Sequence, residues 1–186
     1  MEKKVVLGIL IGVILGIALG AEIIRLADQR ICPRPTCVGE ADVIPISDRG
    51  YSDAVHKILS QADSSIHIVS FELKYYENYK TSSVNTLVDD LIAAHRRGVD
   101  VRIVIDQYSK ENNAFEKLKA EGIEIQYDPE DVTTHAKLII VDEETVVLGS
   151  TNLSYFGLEK NNEVDVIIKD GRIAKYFEDY FSGLWR

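Results

Sequence analysis

Two kinds of apolar pattern divide this chain. From Val5 to Ile24 the residues are apolar almost without interruption, Glu22 being the one charge. At ~1.5 Å rise per residue such a run just spans a ~30 Å hydrocarbon core. Gly8, Gly12, Gly16 and Gly20 fall every fourth residue, the small-xxx-small spacing that lets transmembrane helices approach closely. The run reads as a retained anchor over residues 1–24. A secretory signal is the competing reading, with Lys3 and Lys4 as its basic start and Ala18-Leu19-Gly20 as a cleavage-like site. Residues 25–41 are polar, proline-containing and without period, so they read as a tether.

Beyond residue 42 the pattern alternates in short blocks. Asp42–Ile46, Ser65–Leu73, Val99–Ile105, Ile123–Tyr127, Ala136–Val141, Thr145–Leu148 and Glu163–Lys169 read as strands. Helical stripes run from Ser52, a candidate cap, to about Gln61 and through Val84, Leu87, Val88, Leu91 and Ile92 to Gly98. Two more cover Asn113–Glu121 and, after a candidate cap at Asp170, Ile173 to Leu184. Strands interleaved with helices predict an α/β domain over residues 42–186, with a β-sheet sandwiched between helices. The strands flanking Asp142 and Glu143 are joined too tightly for a helical crossover, so the sheet must be mixed.

Charge narrows the choice of partner. Residues 1–41 hold five of the 21 basic and four of the 30 acidic residues, which leaves 16 against 26, a net of −10, on the domain. That excludes the broad basic surface of a duplex-binding protein and leaves room for focused phosphate contacts. The two cysteines lie in Cys32-Pro-Arg-Pro-Thr-Cys37. They suit either a local disulfide in an oxidising compartment or two free thiols. Lys3 and Lys4 on one flank of the anchor and Arg25, Arg30 and Arg34 on the other leave its orientation open. A cleaved segment would make the domain secreted or periplasmic.

The chemistry concentrates in one stretch. His135-Ala-Lys137 and Asp142 are followed by Gly149-Ser150-Thr-Asn152, which puts an imidazole, an ammonium, a carboxylate, a hydroxyl and an amide within eighteen residues. Strand alternation sets His135 and Lys137 on one face. A neutral imidazole is a nucleophile and proton carrier near pH 7. Lys137, Ser150 and Asn152 suit phosphate oxygens, and Glu163 is placed to orient an imidazole. Metal ligation fits poorly, since lysine is not a usual ligand and no second histidine is near in sequence; no cofactor is expected. His56, His67 and His95 have no partner motif and read as structural. Tyr75, Tyr76 and Tyr79, in an aromatic and charged loop, suit a substrate rim, a membrane headgroup region or a subunit contact.

The pattern H135-x-K137-x4-D142 with G149-S150-x-N152 and Glu163 resembles the signature of the phospholipase D superfamily. One motif per chain resembles its small branch, the bacterial endonuclease and Zucchini-like cardiolipin hydrolase type. The resemblance implies a homodimer with one motif from each subunit. One His135 would form a phosphohistidine and the other would protonate the leaving alcohol. Lys137, Asn152 and Ser150 would hold the phosphoryl group, Glu163 the His135 ring, and Asp142 would orient or support the site. A membrane phospholipid is the favoured substrate, given the anchor and the acidic domain; single-stranded RNA or DNA is the alternative, and an inactive membrane-tethered binding protein a remote third.

Overall fold

The computed structural model describes residues 42–111 and 113–186. The expected anchor (1–24) and the tether with Cys32 and Cys37 (25–41) lie outside the described residues. Among those described, no helix is long and apolar enough to cross a membrane.

Seven strands form one sheet: β1 (Val43–Ser47), β2 (Ser65–Ser70), β3 (Asp100–Ile105), β4 (Glu124–Tyr127), β5 (Lys137–Val141), β6 (Thr145–Gly149) and β7 (Val164–Lys169). Their order is β1-β7-β6-β5-β2-β3-β4. The β2-β3-β4 edge is parallel, and every other pairing is antiparallel. The mixed sheet follows from the tight β5–β6 hairpin, whose turn residues Asp142 and Glu143 both take positive φ, 55° and 54°. Such a turn matches the twist of the strands it joins.

Alternation sends the two sides of each strand to different cores. Ile66, Ile68, Ile103, Ile139 and Val147 pack under α1 (Gly50–Ser60) and α2 (Ser83–Arg96). Val69, Val104, Leu138, Ile140 and Val146 pack against Ala174 and Phe181 of α5 (Gly171–Leu184). Two short helices, α3 (Phe115–Ala120) and α4 (Tyr155–Glu159), complete the described chain. Two of the expected element details differ, and one short helix was not expected. Helix α1 starts at Gly50 without a Ser52 cap, because Asp48, at φ 50°, turns the chain earlier. Strand β2 stops at Ser70, after which Phe71 N–H still donates to the Ala136 carbonyl (2.9 Å). Helix α4 is too short to show a period, yet Ser154 caps it by accepting from Gly157 N–H.

Two of the three unclaimed histidines have partners within the fold. His56 bridges α1 to α2 through Asp90 at 2.7 Å. His67 contacts Glu178 of α5 at 2.7 Å and stacks on Phe181, with centroids 4.5 Å apart.

Candidate active site

One end of the sheet gathers the chemistry. Ser70 at the end of β2 pairs with Lys137 at the start of β5, and Gly149 at the end of β6 pairs with Asp165 near the start of β7. His135 and Lys137 therefore meet Ser150, Asn152 and Glu163 where strand ends and loops converge. Backbone groups at strand ends are free of ladder partners and side chains are free of the core, so ligands bind there in α/β sheets.

His135 is exposed, and its ring leans on Phe71 with centroids 4.8 Å apart. Lys137 Nζ lies 3.2 Å from each ring nitrogen of His135, donates to the His135 carbonyl at 2.9 Å, and sits 5.2 Å from the Phe71 ring centroid. Burial lowers the Lys137 ammonium below its usual value, against the opposing pull of Glu72 and Glu163. The ammonium is thus held beside the imidazole, where it can donate both to a neutral ring nitrogen and to an anion bound there.

What fixes His135 is the residue before it. Thr134 N–H donates to Asp106 Oδ2 (2.8 Å) and Asp128 Oδ2 (3.0 Å), two buried carboxylates beyond the ends of β3 and β4. Asp106 also accepts from Tyr108 N–H, and Asp128 from Gln107 N–H. Sequence reading passed over both aspartates; the one available signal was an acidic residue ending an apolar strand.

The second polar cluster is equally braced. Ser150 Oγ donates to Glu163 Oε2 (2.5 Å), and Asn161 Nδ2 donates to Glu163 Oε1 (2.9 Å). Within one chain the Glu163 carboxylate therefore holds Ser150 and Asn161, whereas the resemblance assigned it to the His135 ring. Asp48 exchanges two hydrogen bonds with the Glu163 backbone, and Arg49 donates to the Asn161 carbonyl, so the start of α1 shapes this loop. Thr151, between Ser150 and Asn152, donates N–H and hydroxyl to the buried Asp165 (3.2 and 2.5 Å). Two glycines allow the fit. A Cβ on Gly149 would lie 2.2 Å from Asp165 Oδ1, and one on Gly157 would lie 2.1 Å from the Asn152 carbonyl oxygen. The Asn152 side-chain oxygen is buried without a hydrogen-bond partner, which leaves the amide nitrogen as the end available to an anion.

Asp142 is not in this group. It sits at the far end of β5, about 16 Å along the strand at ~3.3 Å per residue from Lys137. Its carboxylate accepts from the N–H groups of Asp63, Ser64 and Ser65 and from the Ser64 hydroxyl, at 2.7–3.2 Å. Asp142 thus closes the entry to β2. Burial alone would raise this carboxyl, but those hydrogen bonds outweigh it and hold it below the usual carboxylate range. Asp142→Ala is expected to cost about 2 kcal/mol at pH 7 with turnover per folded molecule within twofold of the parent. A lowered folded-state pKa gives stability that is fully present above the unfolded value near ~3.9 and is lost as pH falls through the folded one. Urea unfolding of parent and variant should therefore converge at low pH; a constant gap down to pH 2 would assign the cost to packing instead.

Beside His135 and Lys137 lies a cavity of about 380 Å³. Its other walls are Ala136, Leu138, Leu148, Gly149 and three residues of α5, Tyr176, Phe177 and Tyr180. Among the described residues, no three His, Cys, Asp or Glu side chains are grouped to hold a metal ion.

Comparison with known proteins gives a consistent picture. A family model described as "Cardiolipin synthase, PLD-like domain" matches residues 55–185. The mitochondrial cardiolipin hydrolase of Xenopus laevis is 26% identical over 144 residues, which cover 76% of this chain and 64% of that protein. The virion nicking-joining enzyme of vaccinia virus (strain Copenhagen) is 26% identical over 136 residues, 69% of this chain and 32% of the enzyme. The crystal structure of Nuc from Salmonella typhimurium, a phospholipase D family member, superposes with a TM-score of 0.66 at 26% identity and covers 77% of this chain and 94% of its own. The chain thus spans between 32% and 64% of the length of these two curated relatives.

Proposed function

Since this chain belongs to the family of phospholipase D-like domains, we propose that it is a phosphodiesterase of that type, with a membrane phospholipid as substrate. The observation that carries the choice of substrate is the cavity beside His135. Apart from His135, Lys137 and two tyrosine hydroxyls, the described residues that line it are apolar, which suits a diester attached to a lipid and offers no row of cations among them to a nucleic-acid backbone. The cardiolipin hydrolase relative is named for a lipid substrate, in line with this reading.

In the proposed mechanism His135 attacks phosphorus, forming an N–P bond as the P–O bond to the leaving alcohol breaks. A second imidazole protonates that alkoxide, then takes a proton from the water that attacks phosphohistidine and regenerates the first. Lys137 and the Asn152 amide hold the phosphoryl oxygens, and Ser150, tied to Glu163, supports the loop that carries Asn152. The chain's other histidines, His56 and His67, are engaged by Asp90 and Glu178, and His95 lies at the end of α2. In this reading the second imidazole is His135 of another copy, in the homodimer with a shared site that the resemblance implies. Residues 42–186 form the catalytic domain, tethered by 25–41 to a single-pass anchor at 1–24 whose glycine stripe favours pairing of two copies.

A second reading, single-strand endonuclease, draws on the likeness to the nicking-joining enzyme. Both readings are tested by giving the purified full chain phospholipid in mixed micelles and a single-stranded oligonucleotide side by side, with EDTA in excess. Lipid hydrolysis that persists in EDTA is expected. Cleavage of the oligonucleotide alone transfers the function to the second reading, and a strict metal requirement removes the phosphohistidine mechanism.

A further inference from the structure

Lys137 stands beside His135 as a cation, and a cation taken partly out of water needs a counter-charge held near it. Glu163 is the carboxylate that the motif supplies, yet both of its oxygens are occupied, one by Ser150 Oγ and the other by Asn161 Nδ2. Burial lowers the Lys137 ammonium, and the largest charge pulling against that burial belongs to Glu72, ahead of Glu163. Glu72 has no part in the motif.

The backbone explains its presence. Beyond β2 the chain runs on through Phe71, Glu72, Leu73 and Lys74, and both ends of this segment are fixed. Phe71 N–H donates to the carbonyl of Ala136, which lies between His135 and Lys137 (2.9 Å). Lys74 N–H donates to the carbonyl of Leu153, next to Asn152 (2.8 Å). Between them the Glu72 carbonyl accepts from the Ser70 hydroxyl at 2.6 Å, and the Leu73 side chain is buried in the core. Four residues thus bridge the His135 segment and the Asn152 loop, with Glu72 in the middle. Its side chain has a partner too. Glu72 Oε1 lies 3.8 Å from Lys74 Nζ, which donates to the Glu111 carbonyl at 2.6 Å. The side chains of Glu72 and Lys74 are 25% and 12% exposed, so solvent ions screen these charges poorly.

The charged and titratable groups of this cluster come from four elements. Glu72 and Lys74 follow β2, His135 precedes β5, Glu163 precedes β7, and Tyr176 and Tyr180 of α5 face Lys137 across the cavity. With a neutral imidazole, the two carboxylates and the two ammonium groups cancel. Taking away Glu72 leaves Lys137 with Glu163, whose charge is already shared between two donors. A lysine that loses its proton then grips a phosphoryl oxygen more weakly, because the hydrogen bond is no longer charge-assisted.

We propose that Glu72 is a positioning residue for the phosphodiester reaction, the counter-ion that keeps the Lys137 ammonium beside His135. Its part in turnover rests on the function proposed above; the pairing of Glu72 with Lys137 does not. The test labels the full chain with ¹³C-lysine in detergent micelles and follows the Cε signal of Lys137 from pH 6 to pH 11. Absence of that signal in Lys137→Arg assigns it. A carboxylate favours the protonated amine, so in Glu72→Gln the signal is expected to titrate at lower pH than in the parent. Glu72→Asp, which keeps the charge, is expected to titrate close to the parent. Turnover is read on phospholipid in mixed micelles or on a single-stranded oligonucleotide, whichever the parent cleaves. The ratio of Glu72→Gln to parent kcat/KM is expected to fall about tenfold between pH 7 and pH 9, the order of effect of one close charge on an ionisation. Glu72→Asp is expected to restore it. A Lys137 signal that titrates identically in parent and Glu72→Gln overturns the proposal. So does a turnover ratio that is the same at pH 7 and pH 9, the mark of a merely structural contribution. The expected movement of the Lys137 signal, with neither substrate cleaved by the parent, refutes the proposed function and leaves the counter-ion standing.

Discussion

Replacing His135 by alanine is expected to lower phosphodiester turnover by ~10⁴-fold or more while shifting the melting temperature by less than about 2 °C. The two halves of this expectation have separate causes. His135 is exposed and contributes mainly a ring contact with Phe71, so little packing is lost with it. Chemically, no neighbouring group replaces it. Lys137 is the nearest nitrogen, but as an ammonium it has no lone pair to offer phosphorus. Mixing parent chain with an excess of His135→Ala sharpens the test. In the proposed homodimer the mixed dimers would lack one of two imidazoles, so activity should fall below that of the same amount of parent alone. Activity that simply tracks the amount of parent chain would remove the shared site, and full activity in His135→Ala would remove the mechanism.

The largest structural effect belongs to Gly149→Ala. A methyl there falls 2.5 Å from both the Asp165 Cα and the Val164 carbonyl oxygen, so the clash is with backbone as well as with the end of a side chain. Relief requires β6 and β7 to separate at their paired ends, where Gly149 faces Asp165. Overpacking of this kind costs about 3 kcal/mol, a fall of roughly 6–12 °C in melting temperature for a chain of this size. Separation also pulls Asp165 from Thr151 and so displaces Ser150 and Asn152. Differential scanning fluorimetry and turnover measured well below the transition should show both losses together. A variant with parent-like melting would mean that the strand pair is looser than its register indicates.

The sheet and most of the site were legible in sequence for a local reason. Strand alternation and the tight turn at Asp142 and Glu143 are short-range features, and they specify the β5–β6 hairpin, whereas the pairing of Lys137 with Ser70 at the end of β2 is long-range. His135, Lys137, Ser150 and Asn152 follow from that hairpin. Asp142, given an orienting or supporting role by the resemblance, lies at the far end of β5 because each further residue along a strand carries it away from His135. Asp106, Asp128 and Asp165 were illegible for the opposite reason. Each acts across strands on the backbone of a neighbour of a site residue, and a hydrogen bond to Thr134 or Thr151 N–H leaves no mark on the identity of the residue that donates it. Helix α4 escaped because five residues cannot display a helical period.

The two carboxylates on Thr134 give β3 and β4 a role that their distance from the reacting groups conceals. The proposed nucleophile, His135, is moored to the parallel half of the sheet, through Asp106 and Asp128. The loop proposed to bind phosphate is moored to the antiparallel half, through Asp165 and the Glu163 loop. The site is therefore a seam, and the spacing between imidazole and amide is set by how the two half-sheets are stitched together along β2 and β5. Repacking that stitch, at positions such as Ile68 and Ile139 that face each other across it, would tune the gap in which the proposed mechanism places phosphorus without altering any group proposed to touch it.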